Sequence, residues 1–312
     1  MQDNPFFVVV GAVKAGTTSV YNYLDKHSSI YMSPIKEPHY FCKDIRCDDF
    51  NDDYKKENCL NVEKYLKTKK LSKRHIAFVE RKEEYMALYR DFKNEKICGE
   101  VSNGYLYSDV AAKEIYKYNP SAKIIVILRD PVERAFSHWL MDLKSKNVCR
   151  RSFVEAVEED YCDKNKGWGK SHLYVELGLY CKQVKRYLDV FSQDQILILD
   201  YYNLKENPKR FMEEIYSFLN VEPISIDFYQ RYNSASMIKY PMLNSMICML
   251  KYNLLINYIP DKVKYYIKSA VSTKEGIPVL TYDDRVALNK YFIEDVEELK
   301  KIVGCDLSKW RI

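Results

Sequence analysis

The sequence lacks any apolar stretch approaching the roughly 18 residues that a membrane-spanning helix needs. Its net charge is only +5, because 49 basic residues are nearly balanced by 44 acidic ones. So small a charge gives no support for nucleic-acid binding and is compatible with an anionic small substrate. No internal repeat or low-complexity linker occurs. The composition, 47% hydrophobic and 30% charged, is that of a globular protein, and we expect a single domain over residues 1–312.

Paired cysteine motifs are also missing. The nine cysteines are an odd number and include no Cys-x-x-Cys pair. This usage is typical of a chain kept in a reducing compartment, so we expect free and mostly buried thiols. The first apolar run, residues 6–10, is too short for a secretory leader and continues directly into a glycine loop. These features predict a cytoplasmic protein.

Apolar runs alternate with helical periodicity along the chain. Three runs have the pattern of buried parallel strands: residues 6–10, 123–128 and 195–199. Four segments have helical periodicity: residues 17–24, 131–143, 208–219 and 283–303. Strands that alternate with helices predict an α/β, P-loop-like fold of three layers, in which helices flank a central parallel sheet.

Two segments between these elements have a distinct composition. Residues 44–71 are polar and are predicted to form surface loops and short helices. Residues 242–267 are rich in Met, Leu, Ile and Tyr. For the second segment we favour a helical hairpin packed on the sheet, and a patch that contacts a membrane or a lipid-linked acceptor is the alternative.

A glycine-rich loop follows the first predicted strand and reads Gly11-Ala12-Val13-Lys14-Ala15-Gly16-Thr17-Thr18. Such a turn between a strand and a helix directs backbone N–H groups at one point, and the helix dipole favours an anion there. The glycine spacing is that of a nucleotide triphosphatase loop, but Thr17 stands where that loop has its lysine. The lysine lies inside the loop, at Lys14. A plain glycine turn with a surface lysine is the alternative interpretation.

This loop resembles the 5'-phosphosulfate loop of the sulfotransferases that use 3'-phosphoadenosine 5'-phosphosulfate (PAPS). A second segment, Ile127-Leu128-Arg129-Asp130-Pro131-x-x-Arg134-Ala135-x-Ser137-x-Trp139, resembles their 3'-phosphate motif. The resemblance implies that Arg129 and Ser137 bind the 3'-phosphate, and that Lys14 meets the bridging oxygen of the donor. It implies contacts to the 5'-phosphate from the rest of the loop: Ala15, Gly16, Thr17, Thr18 and Ser19. Adenosine 3',5'-bisphosphate (PAP) would be the product, and no metal would be required.

A third segment resembles the part of these sulfotransferases that meets the acceptor. Ser33-Pro34-Ile35-Lys36-Glu37-Pro38-His39-Tyr40-Phe41 resembles the Lys-Glu-x-His-Phe-Phe segment of the heparan-sulfate and related carbohydrate sulfotransferases, and the segment near the C-terminus resembles bacterial members. By position, Glu37 would be the general base, and His39 would orient it or share the proton.

Two further segments resemble parts of the family's active site. Gly99-Glu100-Val101-Ser102-Asn103-Gly104-Tyr105 resembles the family's Glu-Lys-(Ser/Thr)-Pro-x-Tyr segment, which makes Ser102 and Tyr105 candidate acceptor contacts. Glu100 is either an acceptor contact or the partner of a buried arginine. Because Val101 replaces a lysine, either the acceptor is less anionic or another cation serves. Lys274 and Gly276 stand where the family has a loop that closes over the donor, although Lys274 could equally be a solvated cation.

The resemblance therefore implies a PAPS-dependent O-sulfotransferase whose acceptor is a carbohydrate or a glycolipid and whose base is Glu37. A small alcohol or phenol as acceptor is the first alternative. A P-loop nucleotide kinase is the second, because residues 196–200 have the form of a Walker B strand that ends in Asp200. A non-catalytic module that only senses the nucleotide or a sulfated glycan is the third.

Overall fold

The structure is a computed structural model that describes residues 4–143, 152–228, 237–238, 272–273 and 276–312. Two predictions lie outside these residues, namely the segment 242–267 and the donor contact of Lys274. None of the described helices is long and apolar enough to cross a membrane.

The strands form one main sheet and two small ones. They are β1 (Phe6–Gly11), β2 (Ile30–Met32), β3 (Ile35–Glu37), β4 (Arg74–Ile76), β5 (Ile97–Val101), β6 (Lys123–Leu128), β7 (Ile196–Asp200), β8 (Met237–Ile238) and β9 (Ser272–Thr273). The main sheet has the order β2-β5-β1-β6-β7, and all its strand pairs are parallel. β3 pairs with β4 in parallel, and β8 pairs with β9 in antiparallel fashion.

Thirteen described α-helices accompany the strands. They are α1 (Thr17–Leu24), α2 (Asp52–Asn58), α3 (Val62–Leu66), α4 (Lys82–Ala87), α5 (Gly104–Tyr107), α6 (Ala111–Tyr118), α7 (Pro131–Asp142), α8 (Phe153–Cys162), α9 (Tyr180–Leu188), α10 (Tyr201–Glu206), α11 (Pro208–Phe218), α12 (Tyr282–Asn289) and α13 (Ile293–Ile302). The predicted central parallel sheet with flanking helices is confirmed.

Strand β1 is the centre of the core. All six of its residues are buried, because β5 and β6 pair with its two edges and flanking elements cover its faces. Burying a Val or Phe side chain completely contributes about 1.5–3 kcal/mol each, so this run of apolar residues anchors the sheet. Parallel strands end at the same edge, and the loops after β1, β5, β6 and β7 therefore meet there.

The predicted helix over residues 283–303 is two helices. α12 ends at Asn289 and α13 begins at Ile293, with a turn between them in which Tyr291 N donates to Leu288 O and Phe292 N donates to Asn289 O. α12 packs on α7 and α8, whereas α13 packs on α9. The break lets one segment of chain cover two different neighbours.

Most of the described cysteines are not buried, which differs from the prediction. The described cysteines carry free thiols, but only Cys42 and Cys98 are buried. The sulfur atoms of Cys47 and Cys59, which flank α2, lie 2.6 Å apart. Folding thus brings together two thiols whose residues are separated in the sequence.

Candidate active site

A cavity of about 1310 Å³ opens at the carboxyl edge of the main sheet. Its wall contains the loop after β1, the first turn of α1, the end of β3, much of α7, and the chain at residues 168–173. Eight of the predicted site residues line this one space: Lys14, Gly16, Thr17, Thr18, Ser19, Glu37, Arg129 and Ser137. The folded chain therefore brings the predicted donor loop and the predicted base to a common cavity.

The loop between β1 and α1 needs glycine at Gly16. Gly16 has a left-handed φ of 81° at the N-cap of α1, where L side chains are strained. A Cβ atom there would lie 2.7 Å from Leu204 Cδ2 and 2.8 Å from Tyr201 Cε2. The first amide groups of a helix have no intrahelical partner, so those at the start of α1 can bind an anion in the cavity. Ala15 is fully buried and is not part of the cavity wall.

Arg129 follows β6 and is held against the loop. Its Nη1 donates to Lys14 O at 3.0 Å, and its guanidinium carbon lies 4.6 Å from the centroid of the Tyr201 ring. Tyr180 donates a hydrogen bond to the Arg129 carbonyl at 3.0 Å. The buried Arg129 Nε has no hydrogen-bond partner among the described residues. A buried donor without a partner is unfavourable, so this guanidinium is suited to a phosphate group.

The start of α7 fixes Arg129 and Ser137 relative to each other. Asp130 caps α7 by accepting from Glu133 N at 2.9 Å, and Pro131 occupies the first turn. Asp130 also accepts from Arg285 Nη1 at 3.0 Å and from Arg311 N at 3.1 Å. Arg129 before the cap and Ser137 within the helix both line the cavity. The C-terminal part of the chain thus braces the segment predicted to bind the 3'-phosphate.

Glu37, at the end of β3, is a buried carboxylate beside a cation. Lys36 Nζ donates to Glu37 Oε1, and Asn103 Nδ2 donates to the same oxygen at 3.0 Å. Burial alone would raise the pKa of Glu37, but Lys36, followed by His39 and His75, holds this pKa below its usual value. Glu37 is therefore ionised at neutral pH, as a proton acceptor must be.

His39 lies behind Glu37 and is not part of the cavity wall. Its ring stacks on Phe78 with centroids 4.5 Å apart, and its Nδ1 lies 3.0 Å from Glu37 O. The buried Nε2 lies 3.8 Å from Glu37 Oε2. Burial lowers the pKa of His39, so the ring is neutral at pH 7. This placement allows His39 to orient Glu37 and keeps it from direct contact with a ligand in the cavity.

Ser102 and Tyr105 support the site from within the core. Both are fully buried and do not line the cavity. Ser102 Oγ accepts from His39 N at 3.2 Å, and Tyr105 OH donates to Glu100 Oε1 at 2.6 Å. The structure thus gives these two residues supporting contacts in place of the predicted acceptor contact, because the short helix α5 turns the chain inward after β5.

Glu100 has tyrosines for partners, and the predicted buried arginine is not among them. It accepts from Tyr105 OH and, at 3.3 Å, from Tyr89 OH. Burial raises the pKa of Glu100 to about 8. Glu100 is therefore mainly protonated at neutral pH, and it lies away from the cavity.

Gly276 and Asp200, for which the sequence suggested roles at the site, lie outside the cavity wall. Gly276 is exposed and has a φ of 70°, and a Cβ atom there would have no neighbour within 4 Å among the described residues. It is not part of the cavity wall. Asp200 is buried, accepts from Tyr202 N at 3.2 Å and from Trp310 Nε1 at 3.1 Å, and does not line the cavity either. Asp200 thus caps α10 and fixes Trp310, which are structural contacts.

Several residues of the cavity had no signal in the sequence. Trp168 lines it and donates from Nε1 to Tyr54 OH at 2.9 Å. His172 and Asp142 form a hydrogen-bonded pair in its wall. These pairs join a loop to a helix that is distant in the sequence, namely α2 for Tyr54 and α7 for Asp142, so only the folded structure shows that they meet.

Comparisons with known proteins agree with this geometry. A family model described as "Sulfotransferase family" matches residues 5–225. Carbohydrate sulfotransferase 15 of Mus musculus is 30% identical over 258 residues, covering 71% of this chain and 44% of that protein. The bifunctional heparan sulfate N-deacetylase/N-sulfotransferase 4 of Mus musculus is 26% identical over 318 residues, covering 98% of this chain and 31% of that protein. The chain spans less than half the length of either relative.

A solved structure is similar over nearly the whole chain. The crystal structure of a sulfotransferase from Alicyclobacillus acidocaldarius has a TM-score of 0.68 and 25% sequence identity, and the match covers 99% of both chains. The likeness therefore includes the sheet, its flanking helices and the edge at which the cavity opens.

Proposed function

The chain belongs to the sulfotransferase family, and from this membership we propose that it transfers the sulfuryl group of PAPS to a hydroxyl of a carbohydrate or glycolipid acceptor. The predicted family resemblance is confirmed by the match over residues 5–225. One observation carries the proposal: Lys14, Arg129 and Glu37 line a single cavity. Anion-binding groups and a carboxylate base in one space are what transfer from an anionic donor to a hydroxyl requires.

The donor end of the cavity suits the two phosphates of PAPS. The amides at the start of α1 and the Lys14 ammonium would hold the 5'-phosphosulfate. Arg129, with its unpartnered Nε, and Ser137 would hold the 3'-phosphate. Lys14 and the loop amides would stabilise the charge that develops on the phosphate oxygen as the bond from this oxygen to sulfur breaks.

Glu37 would act as the general base. The acceptor oxygen forms a bond to sulfur, the bond between sulfur and the phosphate oxygen breaks, and the hydroxyl proton passes to Glu37. His39 and Asn103 would hold the carboxylate in position, at 3.8 Å and 3.0 Å from its two oxygens. The cation of Lys36 keeps the carboxylate ionised before the proton arrives.

The acceptor class is supported by the names of the relatives, which are carbohydrate and heparan sulfate enzymes. Trp168 adds an aromatic face to the cavity, and amphipathic aromatic rings suit the apolar faces of sugars. A small alcohol or phenol remains the alternative acceptor. The cytoplasmic location stays a prediction.

The nucleotide kinase alternative has little support from the structure. Its Walker B candidate, Asp200, is bound to Trp310 and to the first turn of α10 and does not line the cavity. Thr17 lines the cavity at the position where a triphosphatase loop needs lysine. The described site thus lacks two groups that this chemistry uses.

Glu37→Gln tests the proposal. It keeps the hydrogen bond from Asn103 but removes the proton acceptor, so we expect transfer from labelled PAPS to a glycan pool to fall about 100-fold or more. Stabilisation by PAP should persist, since Glu37 does not belong to the donor loops. Glu63→Gln, at an exposed position of α3, is the matched control and should leave the rate unchanged. Undiminished turnover by Glu37→Gln would refute the assignment of the base.

A further inference from the structure

A histidine and an aspartate outside the predicted site form a pair in the cavity wall. Asp142 ends α7, and His172 lies in the loop before α9; both line the cavity. His172 Nδ1 lies 2.9 Å from Asp142 Oδ2, and Tyr174 OH donates to the same oxygen at 2.8 Å. The His172 ring stacks on the Tyr174 ring with an interplanar angle of 3°. The carboxylate thus fixes one nitrogen of the imidazole and leaves the other on the opposite side of the ring.

The backbone around His172 is fixed by a second buried carboxylate. Asp160 of α8 accepts from His172 N at 2.7 Å and from Tyr174 N at 3.0 Å. Leu173, between them, has a φ of 55° in the left-handed region, which is strained for a residue with a branched side chain. Strain of this kind persists where the surrounding contacts enforce it, and it is concentrated at functional sites. The loop is therefore built to hold His172 against Asp142.

The imidazole is the more exposed partner of the pair in the cavity wall. The hydrogen bond that His172 donates to Asp142 raises the pKa of His172 above its usual value of 6.5. The other titratable neighbours of His172 are His138 of α7 and Asp160. Burial lowers the pKa of His138 to about 3 and raises the pKa of Asp160. Asp142 is buried, whereas 41% of the His172 side chain is exposed. The imidazole, which carries the positive charge of the pair when it is protonated, is therefore the end that a ligand meets.

His172 Nε2 is available to that ligand. Within the described part of the chain, no residue forms a hydrogen bond with this nitrogen. A protonated imidazole donates through both nitrogens, so Nε2 can donate a charge-assisted hydrogen bond into the cavity.

The loop that carries His172 also contains Trp168, which lies near the proposed base. Gly169 O accepts from Asn51 N at 2.9 Å, and the Trp168 ring lies 5.7 Å from the ring of His39, which is directly behind Glu37. Lys170 lies in the same loop and also lines the cavity. An aromatic ring and two cationic side chains thus follow one another in a segment next to the proposed base.

We infer that His172, positioned by Asp142, binds a negatively charged group of the acceptor, namely the carboxylate or sulfate ester of an acidic sugar. This inference rests on the proposed sulfotransferase function and narrows its substrate class. Trp168 would pack on the ring of the same sugar, and Lys170 would add a second cation at the rim. Asp142 is a positioning residue, since it acts on the ligand only through His172.

Three disaccharides with one skeleton test the inference: one neutral, one carrying a carboxylate and one carrying a sulfate ester. We expect the wild-type protein to prefer an anionic disaccharide. His172→Gln should lower kcat/KM for that acceptor about 10- to 100-fold, as for the loss of a charge-assisted hydrogen bond, through KM and with kcat nearly unchanged. The neutral acceptor should change little. His172→Lys should restore part of the preference, which a purely structural role of the ring would not allow.

Asp142→Asn and a pH series provide a second measurement. In the wild-type protein the preference for the anionic acceptor should decline as the pH rises through the pKa of His172, above 6.5. In Asp142→Asn the decline should begin at lower pH, because the carboxylate that stabilises the imidazolium is gone. Lys164→Gln removes an exposed cation of the same loop that does not line the cavity, and it should leave the preference unchanged.

Direct binding separates failure of this inference from failure of the proposed function. The three disaccharides are titrated against wild type and His172→Gln with PAP present. Preferential binding of an anionic disaccharide that is lost in His172→Gln supports the inference, even if no sulfuryl transfer occurs. Equal loss for neutral and anionic acceptors, no anionic preference in the wild type, or weaker stabilisation by PAP in His172→Gln would each overturn it.

Discussion

Glu37 and Glu100 are both buried, yet their partners give them opposite charge states. Glu37 lies beside the Lys36 ammonium, whereas Glu100 is surrounded by tyrosine hydroxyls such as that of Tyr105. The pKa of Glu37 is accordingly lowered, and burial raises the pKa of Glu100 to about 8. At neutral pH only Glu37 is able to accept a proton from an acceptor hydroxyl. A single cation therefore distinguishes the proposed base from a structural acid.

The raised pKa of Glu100 makes stability depend on pH. Protonation of Glu100 stabilises the folded state. This contribution is complete below the pKa of Glu100 in the unfolded chain, near 4.5, and it is lost as the pH rises to the pKa in the folded protein, about 8. Between these values the free energy of unfolding should fall by about 1.4 kcal/mol per pH unit from this group. We expect Glu100→Gln, which can still accept from Tyr105 OH, to remove most of that slope in urea denaturation at a series of pH values.

Glu63→Gln is the control for this measurement, since Glu63 is exposed on α3. It should leave the slope between pH 4.5 and 8 as in the wild type. If Glu100→Gln had the wild-type slope as well, Glu100 would have to be ionised in the fold, and the tyrosine cluster would have to stabilise its charge.

Individual residues were predictable where a motif places them at the end of a strand. Lys14, Arg129 and Ser137 meet at the cavity because the segments that follow β1 and β6 leave the same edge of a parallel sheet. The inward position of Tyr105 was not predictable, since it depends on the turn that α5 makes after β5. The contact of His172 with Asp142 joins positions 30 residues apart, and no local pattern connects them.

Among the secondary-structure elements, a strand can be predicted from the sequence when its apolar run is long and unbroken. β1 and β6 are continuous apolar runs, and their predicted positions are confirmed. β2 has only three residues, and β5 carries a buried glutamate within its five, so neither has a clear apolar pattern. The break between α12 and α13 has no Gly or Pro to mark it. It follows from the packing of two helices on different neighbours.

α12 braces the donor segment through one partly buried arginine. Arg285 pairs with Asp130 at 3.0 Å and with Glu133 at 2.8 Å at the start of α7. Arg285→Ala leaves the buried Asp130 carboxylate without its cation, and removing one partner of a buried pair costs about 3 kcal/mol. We expect this loss in urea denaturation, together with weaker stabilisation by PAP, because Asp130 is next to Arg129.

Lys290→Ala is the matched control at the other end of the same helix. It removes an exposed pair with Glu158, and exposed pairs contribute little, so both stability and PAP stabilisation should remain near the wild-type values. A comparable loss in the two variants would show that α12 as a whole, and not the Arg285 contact, supports the donor segment.

For the whole molecule, the proposed function predicts which nucleotide stabilises the fold. A ligand at 100 times its dissociation constant adds about 2.7 kcal/mol to the free energy of unfolding. For a chain of this size that is a rise in Tm of about 5 °C. We expect PAP to produce such a rise without added metal, and ATP with magnesium to produce much less.

Two variants make this measurement specific. Arg129→Ala should abolish the stabilisation by PAP, because it removes the proposed ligand of the 3'-phosphate. Lys164→Ala, which removes an exposed cation outside the cavity, should retain it. Stabilisation by ATP with magnesium alone would contradict the sulfotransferase proposal and favour the kinase alternative.

The central place of β1 has a consequence for biosynthesis. Its residues 6–11 pair with residues 97–101 and 123–128, so a ribosome must add about 90 further residues before the first neighbour exists and about 120 before both do. At roughly 5–20 residues per second, that interval is on the order of 5 to 25 seconds. During this time a fully buried apolar strand of the protein has no partner of its own, and a strand in that state is prone to pair with another chain. Slow translation or a shortage of chaperones should therefore reduce the soluble yield of this protein before any defect in its folded stability does.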